Sequence, residues 1–103
     1  MSGETVLIVE DDDSLRVALA DALASLGYET IEAGTGGEGY ALASRQLPDL
    51  ILLDLGLPDV DGLSLARKLR EKPETAKIVV AALTAEEISG WRAEEVYQHC
   101  IGY

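Results

Sequence analysis

Carboxylates follow two apolar segments of the sequence at the point where each segment ends. Residues 6–9 (Val-Leu-Ile-Val) run directly into Glu10 and Asp11, and residues 50–53 (Leu-Ile-Leu-Leu) run into Asp54. Like charges that are brought together at the ends of buried strands repel one another and lose hydration. Because a bound cation relieves that cost, the pattern predicts a metal site beside a carboxylate that can act as a nucleophile.

The residue types at this site favour Mg²⁺ (or Mn²⁺) over zinc, because the strand ends offer hard oxygen ligands and no histidine or thiolate. Thr84 follows a third apolar segment, residues 78–83, in the same way. Such a site suits phosphoryl transfer: a carboxylate attacks phosphorus, the cation screens the charge of two anions, and a hydroxyl bonds a phosphoryl oxygen. Asp12 and Asp13 are interpreted instead as cap and first-turn residues of the next helix.

Apolar segments alternate with helical patterns along the whole chain. The predicted strands span residues 6–9, 28–33, 50–54 and 78–83, and the predicted helices span about residues 14–26, 62–71 and 86–99, with a small-residue helix that ends near residue 46. Strands that alternate with helices of this length predict right-handed crossovers and a parallel sheet. Sites in such α/β sheets form at the carboxyl ends of strands, so Glu10, Asp11, Asp54 and Thr84 are expected to converge.

Three local predictions accompany this predicted α/β fold. The apolar residues of the first helix share one face at helical spacing, with Asp12 or Asp13 capping its start and Gly27 its end; they are Leu15, Leu19, Ala22, Leu23 and Leu26. The glycine-rich residues 34–39 are interpreted as a loop with a weak helix start, because they lack the Lys-Ser/Thr of a phosphate-binding loop. Pro73 is expected to close the third helix.

The composition limits the class of protein. The 103 residues predict a single domain, residues 1–103, and the net charge of −11 with a pI near 4.2 argues against nucleic acid and anionic membranes as partners. A basic protein partner or a cation fits better. One cysteine, the absence of an apolar run long enough to span a bilayer and the absence of a signal-peptide pattern predict a cytoplasmic protein.

The chain resembles the receiver domain of two-component response regulators in three pieces at specific spacings. These are Thr-Val-Leu-Ile-Val-Glu-Asp-Asp at residues 5–12, the segment 48–62, and Ala-Leu-Thr-Ala at residues 82–85. The second piece has a proline four positions and a glycine eight positions after its aspartate. The resemblance implies a flavodoxin-like doubly wound α/β fold with a parallel sheet in the strand order 2-1-3-4-5.

The resemblance also implies a role for each matching residue. Asp54 would accept phosphate from a histidine kinase or phosphotransfer protein, and Thr84 would be the switch hydroxyl. Glu10 and Asp11 would form the metal-binding acid pair, with Asp11 as the direct ligand, and Asp54 and the backbone carbonyl of Gly56 would complete the ligands. Such a domain catalyses its own phosphorylation and dephosphorylation, so it is a signalling phosphoacceptor rather than a metabolic enzyme.

The sequence departs from the family pattern at its end. A receiver has a fifth strand that carries a lysine, then a fifth helix, whereas this sequence ends at residues 101–103, where Tyr103 falls at the family's switch aromatic. Without the fifth strand, the strand at residues 78–83 has an open edge. The chain is therefore expected to form a homodimer or to exchange segments, through that edge or through the fourth helix. The alternative function is therefore a truncated receiver that acts as a phosphorylation-independent dimerisation or interaction module. A haloacid-dehalogenase-type phosphatase would need an aspartate where Gly56 stands.

Overall fold

Four parallel strands form a sheet in the order β2-β1-β3-β4 in the computed structural model, which describes residues 3–83. The strands are β1 (Thr5–Val9), β2 (Glu29–Ala33), β3 (Leu50–Asp54) and β4 (Val79–Leu83). Continuous apolar runs form β1 and β3, the two inner strands, which are covered on both faces. The predicted order of these four strands is confirmed, whereas Thr84, the helix predicted at 86–99 and Tyr103 lie outside the described residues.

Helices follow the strands in the expected alternation. They are α1 (Asp13–Ser25), α2 (Gly36–Gln46), α3 (Gly62–Glu71) and the short α4 (Pro73–Ala76). A side-chain oxygen caps each of the first three: Asp12 accepts from the Leu15 N–H, and Thr35 and Asp61 do the same for α2 and α3. The predicted cap at Asp12 is confirmed, and α1 ends before Gly27, which has a φ of 100°. Within residues 3–83, no helix combines the length and hydropathy needed to cross a membrane.

The glycine-rich segment contains the start of a helix, as predicted, and that helix begins early in the segment, at Gly36. Helix α2 begins at Gly36, because the Thr35 hydroxyl accepts from the Glu38 N–H and starts the first turn. The glycines allow close packing: a Cβ at Gly39 would lie 2.8 Å from Val9 Cγ2. Helix α2 can therefore approach the end of β1 only if this position has no side chain.

Pro73 opens a helix of its own rather than simply closing α3. Proline suits the first position of a helix, because its fixed φ is correct there and an N–H at that position would have no acceptor within the helix. Had α3 continued through residue 73, an N–H at this position would have bonded the Leu69 carbonyl four residues earlier. The buried Thr75 hydroxyl donates to this carbonyl instead, over 2.6 Å. The Arg70 guanidinium donates in the other direction, to the Ala76 carbonyl over 2.7 Å, so side-chain hydrogen bonds from both helices join them.

The core is unequally divided between the two faces of the sheet. The larger cluster fills the face under α2 and α3 and includes Leu7, Val9, Ile51, Leu53, Leu63, Leu65, Leu69 and Val80. Within residues 3–83, the smaller cluster, under α1, has only Val6, Ile8 and Ala20 as buried members. The residues predicted to share one face of α1 are only partly covered in this part of the chain: Leu15 is 38% exposed and Leu26 is 74% exposed.

Candidate metal centre

Three carboxylates meet at the carboxyl ends of the two central strands. Val9 and Leu53 pair in register, so the residues that follow them reach the same level of the sheet. One carboxylate oxygen from each of Glu10, Asp11 and Asp54 lies within 4.8 Å of the other two. The predicted convergence of these three side chains is confirmed. Their role as metal ligands stays a prediction.

The backbone around Glu10 fixes the position of its side chain. Its N–H donates to the Ala33 carbonyl over 3.0 Å, which continues the pairing of β1 with β2 for one residue. Its carboxylate accepts from the Asp12 N–H over 3.0 Å, and only 5% of the residue is exposed. A buried acid that is held in this way cannot turn away from its neighbours to relieve repulsion.

Asp54 is fixed by the turn that follows β3. Its Oδ1 accepts from the Gly56 N–H over 2.9 Å, so one carboxylate oxygen is engaged by the backbone. The side chain is half-buried, and Gly56 itself is exposed. The Gly56 carbonyl, predicted as a further ligand, belongs to the same turn, and its role stays a prediction.

Burial, with a contribution from neighbouring carboxylates, raises the pKa of two of these groups, Glu10 and Asp54. Burial raises the pKa of Glu10, and the nearby charges of Asp54 and Asp11 raise it further, against the opposing effect of the Asp12 N–H. Burial likewise raises the pKa of Asp54, with Asp11 adding to the shift and the Gly56 N–H opposing it. The charged form of the cluster is therefore costly by itself, as expected for a site that fits a cation.

Arg16 is a residue of this region that the sequence analysis missed. Its guanidinium donates to the Glu10 carbonyl over 2.9 Å and forms ion pairs with Asp13 at 2.7 Å and Glu32 at 3.2 Å. Hydrogen bonding to Asp13 is the largest cause of its raised pKa. The i,i+3 spacing of Asp13 and Arg16 could have predicted the ion pair between them from the sequence. The contacts with Glu10 and Glu32 depend on the fold and left no sequence signal.

Asp59 was also missed, and it joins the segment after Asp54 to helix α2. Its two carboxylate oxygens accept from the N–H groups of Gly36 and Gly37, over 2.8 and 3.0 Å. These two bonds hold the pKa of Asp59 below its ordinary value. A carboxylate suits the positive end of a helix. Because the partners are more than twenty residues apart in sequence, no local pattern could predict the contact.

Gly62 allows α3 to begin directly against the strand end. A Cβ at this position would lie 2.6 Å from the Leu55 Cα and 2.9 Å from the Asp54 carbonyl oxygen. Both atoms belong to the backbone, so neither can rotate away. The position of the turn after Asp54 therefore depends on the missing side chain at Gly62.

An open parallel sheet with three carboxylates at the ends of its two central strands defines a receiver-type α/β domain. The family model described as response regulator receiver domain matches residues 6–98. The chain therefore belongs to the receiver domain family of two-component response regulators.

Known relatives agree with this assignment. The chain is 42% identical over 86 residues to the phosphate regulon transcriptional regulatory protein PhoB of Pseudomonas aeruginosa, a match that covers 84% of this chain but only 38% of PhoB. It is 39% identical over 87 residues to the polar-differentiation response regulator DivK of Brucella ovis, covering 84% of this chain and 71% of DivK.

A solved structure extends the likeness to the backbone. The receiver domain of a sensor histidine kinase from Pseudomonas aeruginosa superposes with a TM-score of 0.85 at 31% identity, covering 97% of this chain and 81% of that chain. That crystal structure has a magnesium ion coordinated in its active site cleft.

Proposed function

We propose that this chain is a phosphoacceptor: a histidine kinase or phosphotransfer protein phosphorylates Asp54 in a Mg²⁺-dependent reaction, and the phosphoryl group switches an interaction surface. The observation that supports this most directly is the set of three carboxylate oxygens within 4.8 Å of one another at the strand ends of a receiver domain. The surplus of negative charge there has no structural benefit of its own, because it raises the energy of the folded state.

Asp54 is the nucleophile in this proposal. Because the Gly56 N–H engages Oδ1, the other carboxylate oxygen is the one offered to an incoming phosphoryl group. That oxygen forms a bond to phosphorus while the bond from phosphorus to the donor breaks, which gives an acyl phosphate on Asp54. The buried Glu10, whose carboxylate accepts from the Asp12 N–H, and the exposed Asp11 lie beside the reacting carboxylate.

Mg²⁺ (or Mn²⁺) fits the oxygen-only donor set of Glu10, Asp11 and Asp54, with the Gly56 carbonyl as the fourth proposed ligand. When bound, the cation supplies the positive charge that lets an anionic carboxylate approach an anionic phosphoryl group. The raised pKa values of Glu10 and Asp54 support the same assignment, because burial and neighbouring carboxylates make their charged forms costly without a counter-ion. The magnesium ion in the related receiver structure supports it independently.

Thr84 and Tyr103 complete the proposed switch. Asp54 pairs in register with Leu83, the last residue of β4, so Thr84 is the next residue along the chain beyond that pair. A hydroxyl there would bond a phosphoryl oxygen on Asp54. Tyr103 is proposed as the switch aromatic on the resemblance alone.

The test is intact-mass spectrometry after incubation with Mg²⁺ and acetyl phosphate. We expect one phosphoryl adduct on the unmodified sequence and on Asp21→Ala, a matched loss of an exposed aspartate on α1. We expect no adduct on Asp54→Ala or when a chelator removes the metal. An adduct that persists on Asp54→Ala would contradict the proposal.

The second candidate is a phosphorylation-independent dimerisation module. Within residues 3–83, β4 pairs with β3 on one side only, and Val79 on this strand is 50% exposed. An edge of this kind can pair with a second copy or exchange a segment with it. Light scattering distinguishes the candidates: a dimer that forms equally in Asp54→Ala favours this module, and a monomer at high concentration excludes it.

A further inference from the structure

A small cleft separates α2 from α3 on the side of the molecule that carries the larger core cluster. Its volume is about 210 Å³, and Tyr40, Val60 and Leu65 line it together with Gly36, Gly37, Ser64 and Lys68. Small-molecule sites usually have volumes of about 300–1,000 Å³. This cleft therefore fits one apolar side chain better than a cofactor or metabolite.

Two ammonium groups converge at the rim of this cleft. The Nζ atom of Lys68 lies 4.7 Å from the centre of the Tyr40 ring, and that of Lys72 lies 5.0 Å from it. Lys72 Nζ also donates to the Ser44 hydroxyl over 3.4 Å. Neither lysine forms an ion pair with a carboxylate within residues 3–83. Two positive charges thus lie against the Tyr40 ring, and neither forms an ion pair with a carboxylate of the described residues.

The segment that carries both lysines has a charge opposite to that of the whole chain. Residues 62–77 contain five of the eight lysines and arginines but only two of the nineteen aspartates and glutamates. The net charge of the chain is −11. A basic segment on an acidic protein attracts an acidic partner to that position, because the rest of the protein's surface repels such a partner.

We propose that the cleft between α2 and α3 docks an acidic segment of a partner protein, which inserts one apolar side chain beside Tyr40 and places carboxylates on Lys68 and Lys72. The apolar lining accounts for the inserted side chain, and the paired ammonium groups account for the flanking acids. The site uses none of the residues of the metal centre, so it can be tested on the unphosphorylated protein.

The test titrates the ¹⁵N-labelled protein with the peptide acetyl-Asp-Glu-Leu-Glu-Glu-Leu-amide and follows amide chemical shifts. We expect a Kd below about 1 mM and shifts centred on Tyr40, Val60 and Leu65. Replacing the leucines of the peptide by serine, or its acids by lysine, is expected to abolish binding. The affinity should also fall as salt is raised, because the lysines are exposed or half-buried.

Two variants of the protein separate the charge from the cavity. Lys68→Glu is expected to weaken binding about tenfold. Its matched control, Lys77→Glu, makes the same charge change on an exposed residue outside the cleft and should leave Kd unchanged. Ser64→Tyr fills the cleft from an exposed position and should also abolish binding. Shifts that map elsewhere, equal losses in Lys68→Glu and Lys77→Glu, or no binding at all would overturn the proposal.

Discussion

Replacing Gly62 by alanine would force a methyl group against the backbone that follows β3. The Cβ would lie 2.6 Å from the Leu55 Cα and 2.9 Å from the Asp54 carbonyl oxygen, both inside the 3.0 Å that real Cβ atoms essentially never cross. A flexible side chain could rotate away, whereas these backbone atoms can only shift with the strand end. The strain therefore falls on the turn that follows Asp54.

Two opposing effects decide the size of the change. An alanine in place of glycine ordinarily stabilises a helix by about 0.4–1 kcal/mol, because it restricts the unfolded chain. Overpacking a tight site costs about 1–3 kcal/mol. Because the contacts at Gly62 are with backbone, we expect the cost to exceed the gain and the free energy of unfolding to fall by about 1–2 kcal/mol. That loss lowers the Tm of a domain of this size by about 5–15 °C.

Thermal unfolding followed by circular dichroism measures this, with Gly37→Ala as the matched control. Gly37 also lies in the first turn of a helix, but its Cβ would lie 3.6 Å from Asp59 Oδ2, an ordinary contact. We expect the Tm of Gly37→Ala to be unchanged or raised. A Tm for Gly62→Ala equal to or above that of the unmodified protein would refute the reasoning, since it would show that the strand end yields at no cost.

Three further predictions concern the metal, a charge and a buried hydroxyl. Mg²⁺ at about 100 times its Kd should raise the free energy of unfolding by about 2.7 kcal/mol. If Mg²⁺ raised the Tm of Asp54→Ala as much as that of the unmodified protein, the result would contradict the proposed site. Asp59→Asn should destabilise the protein above pH 3.8, because the Asp59 carboxylate stabilises the fold only while it is ionised. The loss should shrink as the pH falls through the lowered folded-state pKa of Asp59. Urea titrations in the presence of a chelator measure this, and a difference in the free energy of unfolding that does not change with pH would count against it. Thr75→Val should cost about 1–3 kcal/mol in urea unfolding by leaving the Leu69 carbonyl unpaired, whereas Thr75→Ser should retain most of the stability.

The acidic centre could be predicted from sequence because each of its parts is local. Glu10, Asp11 and Asp54 all directly follow apolar runs, and the ends of adjacent parallel strands meet wherever such a sheet forms. The prediction needed only the order of strands and helices. The distance between the two acidic segments along the chain did not matter.

The parts that sequence reasoning missed depend on contacts between distant segments. Asp59 bonds the first turn of α2, and Gly39 is required by Val9, and neither contact was visible in the glycine-rich segment itself. Leu26 falls at the spacing of the apolar face of α1 and is nevertheless 74% exposed. Helical spacing shows which residues share a face, whereas burial depends on what is packed against that face.

The contact of Asp59 with α2 connects the segment after Asp54 to the cleft between α2 and α3. Asp59 follows strand β3 in this segment and bonds the Gly36 and Gly37 N–H groups, and the adjacent Val60 lines the cleft. If phosphorylation of Asp54 displaces that segment, the affinity of the cleft for its peptide changes. By reciprocity, the peptide must then change the free energy of the acyl phosphate by the same amount. A partner bound in the cleft would thereby shift the fraction of the domain that is phosphorylated at equilibrium with its donor.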